Sequence, residues 1–343
     1  MQKIDKKIHL IENALGELSD NYYHCNLCPR ECGVNRSVGE IGFCKIGSLP
    51  VVSNYCLHFG EEPCLSGFFD HEKGDKIKSS LSGSGAVFFS GCNLGCLFCQ
   101  NYQISRQIHG SIASPEKLAS IFMSLQENKA LNINLVTPTH VIISILEALK
   151  LAIPIGLEIP IVYNTSAYDS YETIKKLSGI IDIYLPDLKY INRDSASKYS
   201  KARDYPERAT EAIIEMYSQV GNLEIDEKGN AKKGLIIRHL VLPGHKEESC
   251  AILEWIASHI SLDVCLSLMS QFHPCNDVPN DINRPLMAEE YDEILNKAEE
   301  LGFENVYFQE NPSVSENYLL PDFNMENPFL QRENSGNNCV NTQ

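Results

Sequence analysis

The sequence predicts an α/β protein: a partial (β/α)6-type barrel of parallel strands behind a small cysteine-rich N-terminal lobe. Three observations carry that expectation. Strand-like and helix-like segments alternate from residue 79 to residue 311. Residues 1–78 hold six of the thirteen cysteines and many glycines. Residues 312–343 are rich in Asn, Glu, Ser and Pro, show no period, and read as a tail whose end, SGNNCVNTQ, has a disordered composition.

The alternation can be followed element by element. In the lobe, only the opening stretch to about Leu18 looks helical. Residues 86–90 form a short apolar strand, and 115–126 a helix with Ser114 placed as its N-cap. A strand at 131–136 precedes a helix at 139–151, which sets Val141, Ile142, Ile145, Leu146 and Leu149 on one face. Strands at 159–163 and 180–185 flank a helix at 170–177. A strand at 235–242, a helix at 247–259, a strand at 262–268, a helix at 289–301 and a strand at 305–308 complete the series. Repeated strand–helix units imply a parallel sheet with helices outside, and function then sits at the C-terminal ends of the strands.

Composition narrows the classes. Of the 343 residues 43% are apolar, enough for a large core. The most apolar stretch, 141–163, is interrupted by Glu147, Lys150 and Glu158, so no membrane span is expected. The opening MQKIDKKIHL has no apolar run after its basic residues and does not read as a secretory signal. A cytoplasmic location is expected. The net charge of -16 repels phosphate backbones and argues against broad nucleic-acid binding. Reduced cytosolic thiols make clustered cysteines metal or iron–sulfur candidates rather than a disulfide framework.

Two clusters stand out. Cys92, Cys96 and Cys99, spaced C-x3-C-x2-C, follow directly on the first barrel strand. Three thiolates on so short a loop suit three irons of a cubane. A 4Fe–4S site normally takes four, so one iron is left open to accept a substrate. The alternatives are a zinc knot, which normally wants four ligands, or three buried thiols. The lobe carries Cys25, Cys28, Cys32 and Cys44, spaced C-x2-C-x3-C-x11-C. This spacing suits structural zinc or a second iron–sulfur cluster; reduced buried thiols are the other reading. Cys64 belongs with either site, and Cys250, Cys265, Cys275 and Cys339 read as core or free thiols.

The C-x3-C-x2-C loop resembles that of the radical S-adenosylmethionine (SAM) superfamily, with Phe98 at its usual aromatic position. The resemblance implies a radical SAM barrel. In that family the open iron chelates the amino and carboxylate groups of SAM. One electron then breaks its S–C5′ bond, and the 5′-deoxyadenosyl radical abstracts hydrogen. Phe98 is then expected near the adenine. Further segments are similar to the pyruvate formate-lyase-activating branch. Asp187-Leu188-Lys189 matches its D-L-K, placing Asp187 and Lys189 near SAM or a cation. Arg238 to Gly244 matches its R-x-x-V-x-P-G at the adenine side, and His273 a histidine near SAM. The branch's G-G-E is replaced by Asn134-Leu135-Val136-Thr137-Pro138-Thr139-His140, where the hydroxyls of Thr137 and Thr139 can serve the SAM amino group. Together with Asn164 and Ser166 this run resembles a subgroup described as activating-enzyme-like, a match that spans about residues 20–311.

Each of these residues also has a plainer reading. Asp187 and Lys189 share a strand face and can form an ordinary ion pair. Arg238 can be a strand-edge charge, and His273 a hydrogen-bonded core histidine. Thr137 and Thr139 can cap a helix, while Asn164 and Ser166 suit a turn. The leading expectation is a radical SAM enzyme that takes hydrogen from a glycine of a glycyl radical enzyme, supplied with electrons by a reductant such as flavodoxin or ferredoxin. The alternatives are modification of a small metabolite or another macromolecule, and a non-catalytic zinc-binding interaction protein.

Overall fold

A computed structural model describes residues 2–67, 82–275, 278–309, 320–325 and 328–329. The helices are α1 (Gln2–Leu18), α2 (Pro63–Ser66), α3 (Tyr102–Ser105), α4 (Pro115–Glu127), α5 (Ile142–Ala152), α6 (Tyr171–Lys175), α7 (Arg193–Ser200), α8 (Tyr205–Val220), α9 (Lys246–His259) and α10 (Ala288–Leu301). The strands are β1 (Val51–His58), β2 (Ser84–Phe89), β3 (Ser111–Ile112), β4 (Ile133–Val136), β5 (Ile161–Thr165), β6 (Ile183–Pro186), β7 (Glu224–Ile225), β8 (Ala231–Leu240), β9 (Cys265–Met269) and β10 (Val306–Phe308).

The sheet runs β10-β9-β8-β6-β5-β4-β2-β1-β3. Along this path from β2 to β10 all neighbours are parallel, as the alternation predicts, whereas β1 pairs antiparallel with β2 and the short β7, off the path, antiparallel with β8. The α/β expectation of a partial parallel barrel holds. Register explains its two faces. Val87, Leu135, Tyr163, Tyr184 and Ile237 point outward and join the helices in the main core. Their neighbours Ala86, Asn134, Val162, Ile183 and Ile236 fall on the opposite, inner face, because strand side chains alternate.

Most elements sit within a few residues of their expected places, and the differences are local. Ser114 caps α4, accepting the Lys117 N–H at 3.3 Å. The helix expected at 139–151 opens with a 3-10 turn, Thr139–Val141, before α5. The strand expected from residue 131 starts at Ile133; just before it the Asn132 side chain donates to the Leu65 carbonyl at 2.8 Å. Helices α7 and α8 were not anticipated. Yet α8 buries Tyr205, Ala209, Ala212, Ile213, Met216 and Val220, a regular helical stripe. Within residues 1–78, where only the opening stretch was expected to be helical, α2 is a second helix, and β1 joins the main sheet beside β2.

Two segments enter the inner face. The short helix α2 places Cys64 and Leu65 against Val162, Ile183, Leu185 and Ile236. Phe323, in the tail, packs on Phe88 at 5.6 Å between ring centroids, and Gln103 anchors it by accepting its N–H at 2.6 Å. The stretch SGNNCVNTQ lies outside the described residues.

Candidate active site

The loop after β2 leaves the sheet through Gly91, whose φ of +84° favours glycine; a Cβ there would lie 2.4 Å from the Cys44 carbonyl. The loop is then tied to the end of α7. The Gly95 and Leu97 N–H groups donate to the Ser200 and Tyr199 carbonyls at 3.1 and 2.8 Å. Arg106 donates to the Cys96 carbonyl, and the Asn93 side chain to the Tyr168 carbonyl at 2.5 Å.

The half-buried thiols of Cys92, Cys96 and Cys99 sit on this loop. Cys92 Sγ accepts the Leu94 N–H at 3.3 Å, Cys96 Sγ accepts the Ser200 hydroxyl at 2.9 Å, and Cys99 Sγ lies 3.3 Å from the Ser105 hydroxyl. Burial pushes the Cys92 and Cys96 thiols up, and the Lys189 ammonium pulls Cys96 back. Lys189 Nζ is 2.5 Å from Asp187 Oδ2. Burial disfavours the Lys189 charge, but Asp187, Cys96 and Cys99 outweigh it and hold its pKa above the usual value. So the D-L-K segment faces the cysteine loop.

The other expected residues divide. Phe98 packs edge-on against Phe272 at 5.6 Å, and Gln100 donates to the Gln271 carbonyl at 2.9 Å, which brings the loop of half-buried His273 beside the cysteines. Asn164 lies on the inner face in register with Val136 and Leu185. Ser166 Oγ is buried with no hydrogen-bond partner, and Thr137 holds a φ of +60° that β-branched residues rarely adopt. Thr139 is committed elsewhere. Its hydroxyl donates to Asp169 at 2.7 Å, in a buried carboxylate site that Thr165 and Tyr163 also supply.

Arg238 is likewise engaged. It bonds Glu62 through Nε at 2.7 Å and through a terminal nitrogen at 2.6 Å, and it also donates to Glu61. Both glutamates precede α2. Asn134 donates to Glu61 at 2.8 Å, so the inner face carries a buried group of two carboxylates and one guanidinium. Burial raises the Glu62 pKa, but Arg238 outweighs it and keeps the carboxyl below its ordinary value. Glu61 and Glu62 were missed in the sequence because nothing local links them to a residue about 176 positions away.

Cys25, Cys28, Cys32 and Cys44 are mutual neighbours: Cys28 feels the charges of all three others. Among the described residues, no three His, Cys, Asp or Glu side chains stand in a closed metal-ligating arrangement, and this applies equally to both cysteine sets. The loop of Cys92, Cys96 and Cys99 fits a 4Fe–4S cluster by its donor set: three thiols on one loop, two with hydrogen-bond donors at sulfur, and a buried cation alongside. A bound cluster supplies the electron and the open iron needed for SAM cleavage. This chain's residues hold the loop, donate to the sulfurs and keep Lys189 charged.

No helix among the described residues is long and apolar enough to cross a membrane. The chain is 29% identical over 318 residues to Uncharacterized protein MJ0674 of Methanocaldococcus jannaschii, covering 89% of this chain and 80% of that one. A radical SAM methyltransferase from Sphaerobacter thermophilus aligns at TM-score 0.47 with 14% identity over 68% of each chain. Streptococcus suis SuiB bound to S-adenosylmethionine aligns at 0.44 with 15% identity, over 64% of this chain and 47% of its own. Residues 86–256, which include the cysteine loop, Asp187, Lys189 and Arg238, match the model of the Radical SAM superfamily, which leaves the non-catalytic zinc-binding alternative without support. The chain belongs to the radical SAM superfamily, whose chemistry is cleavage of SAM by a 4Fe–4S cluster.

Proposed function

We propose that this cytoplasmic enzyme uses the 5′-deoxyadenosyl radical to take hydrogen from a backbone glycine of a partner glycyl radical enzyme, with flavodoxin or ferredoxin as reductant. The observation that carries the reading is the Asp187–Lys189 pair, 2.5 Å apart at the end of β6 and facing the cysteine loop. In sequence it resembles the D-L-K of the activating-enzyme branch. Phe98, Asn164, Ser166, Thr137 and His273 are the proposed SAM contacts. Thr139 and Arg238 act on this reading as positioning residues, since their side chains are bound to Asp169 and to Glu61 and Glu62. The four N-terminal cysteines form a second metal site, 4Fe–4S or zinc.

A second reading keeps the chemistry and takes a small metabolite or another macromolecule as substrate. It is favoured by the two segments, α2 and the Phe323 region, that narrow the inner face. The deciding experiment is anaerobic. The protein, reconstituted and given SAM and dithionite, is assayed for 5′-deoxyadenosine, and a co-encoded glycyl radical enzyme is examined by EPR. A glycyl radical that depends on Cys92, Cys96 and Cys99 supports the proposal. Product without any such radical overturns the activase reading and leaves the second.

A further inference from the structure

Arg36 is only 5% exposed, yet no carboxylate pairs with it among the described residues. Its guanidinium donates to the His140 carbonyl at 2.6 Å, the Gly47 carbonyl at 3.4 Å and Cys44 Sγ at 3.5 Å, and its Nε has no partner. Beyond those carbonyls, thiols crowd the guanidinium. Cys25 also hydrogen-bonds Arg36, and the fields of Cys25, Cys32 and Cys44 all fall on it.

The backbone is built to converge these thiols. Cys25 N–H donates to the Val34 carbonyl at 3.2 Å and Gly33 N–H to the Cys25 carbonyl at 3.0 Å, closing the loop that carries Cys28 and Cys32. Gly33 has a φ of +64°, and Glu31 one of +41°. The turn before Cys44 descends on that loop so closely that a Cβ at Gly42 would lie 2.5 Å from Cys32 Sγ.

A buried guanidinium with no carboxylate beside it among the described residues and with an unpartnered Nε is a charge that interiors do not keep uncompensated. Four thiolates around Zn2+, or around a 4Fe–4S core, carry the missing negative charge. We propose that Cys25, Cys28, Cys32 and Cys44 ligate a thiophilic metal centre, a 4Fe–4S cluster or a zinc ion, with Arg36 as its buried countercharge. The inference deepens the second-metal part of the function proposed above and does not depend on SAM cleavage. The centre leans on the radical SAM loop. The Cys44 carbonyl faces Gly91, and Arg36 holds His140, whose Nε2 is 2.8 Å from the Ser90 carbonyl.

The test uses the full chain with Cys92, Cys96 and Cys99 replaced by alanine, which leaves one candidate centre. Purified without oxygen, it is expected to hold about four irons with four sulfides, or about one zinc. Either content supports the site and says which metal it takes. A variant that is folded by circular dichroism and binds neither iron nor zinc overturns the proposal. Should that variant not fold, Cys28→Ser and Cys44→Ser in the otherwise intact chain serve instead, and unchanged metal content in both overturns it.

The countercharge has its own readout. Arg36→Met is expected to lose the centre to a chelator at least about tenfold faster, with Arg36→Lys close to the parent. In urea, Arg36→Met is expected to weaken the metal-loaded protein but strengthen the metal-free one, because the unpaired charge is gone. A residue that only packs would shift both forms in the same direction, and that result would overturn the assignment.

Discussion

The two cysteine clusters of this protein solve the same electrostatic problem differently. Beside Cys92, Cys96 and Cys99 stands Lys189, whose charge is shared with Asp187 at 2.5 Å. Beside Cys25, Cys28, Cys32 and Cys44 stands Arg36, with no carboxylate partner among the described residues and one nitrogen unsatisfied. The first site is balanced before anything binds; its cation can serve a ligand that comes and goes. On the proposal above, the second is balanced only when a bound metal centre brings negative charge to Arg36. On that proposal, the difference separates a site built for turnover from one built for residence.

The sharpest way to break this comparison is at the turnover site. Cys96→Ala is expected to reduce 5′-deoxyadenosine formation to background while the N-terminal metal content stays unchanged. If iron and zinc at both sites vanish together, the clusters are not independent and the contrast fails. Such loss would trace to the contact between Gly91 and Cys44.

A third charged group tests whether this fold tolerates unbalanced burial at all. Arg238 neutralises part of the Glu61 and Glu62 pair, whose side chains are 7% and 3% exposed. Arg238→Met leaves two buried carboxylates without a cation. The expected loss is about 3–5 kcal/mol in urea unfolding. Glu61→Gln should cost much less, because Glu62 still pairs with the guanidinium. Equal effects would mean that Arg238 acts through packing and not charge.

How much of this was legible follows the range of each interaction. The parallel barrel was readable because strand and helix periods are local, and Cys92, Cys96 and Cys99 were readable because one nine-residue loop carries them. Asp187 and Lys189 were readable as a pair two residues apart. By contrast, Arg238 reads as a site residue on its strand, and only the fold brings Glu61 and Glu62 to it. Thr139 reads as a hydroxyl at a strand end, but its partner Asp169 lies beyond the next strand. Helix α8 is a different case. Its stripe from Tyr205 to Val220 was present in the sequence and went unread. Arg36 has no motif of its own; its meaning depends on the absence of a carboxylate partner among the described residues.

The seam between the two clusters has a pH signature. His140 is buried, and its Nε2 faces the Ser90 carbonyl at 2.8 Å, so the proton is assigned to Nε2. Nδ1 has no partner, and Arg36 lies close by. Burial first, and then Arg36, lower its pKa from 6.5 to about 4 against the Ser90 hydrogen bond. The unfolded chain therefore binds the proton more readily than the folded one. Stability from this residue is complete above pH 6.5 and is lost as the pH falls through 4, by about 3 kcal/mol in all. Urea midpoints of His140→Gln should depend less on pH across that window than those of the parent. Parallel pH profiles would remove His140 from the seam.

The smallest expected effect lies on a single sulfur. Ser200 donates to Cys96 Sγ at 2.9 Å and shares its hydroxyl with Tyr190 at 2.8 Å. Removing the donor leaves a thiolate less stabilised and a buried phenol short of one neighbour. Ser200→Ala should destabilise the fold by about 1 kcal/mol. It should also shift the midpoint potential of the cluster to a more negative value, because the reduced cluster carries more negative charge and gains most from a donor at sulfur. The shift distinguishes this serine from one that only packs. Ser105, 3.3 Å from Cys99 Sγ, offers the internal comparison. Its contact is longer, so Ser105→Ala should shift the potential less than Ser200→Ala, and the reverse order would show that the sulfur contacts at this loop do not set its electrostatics.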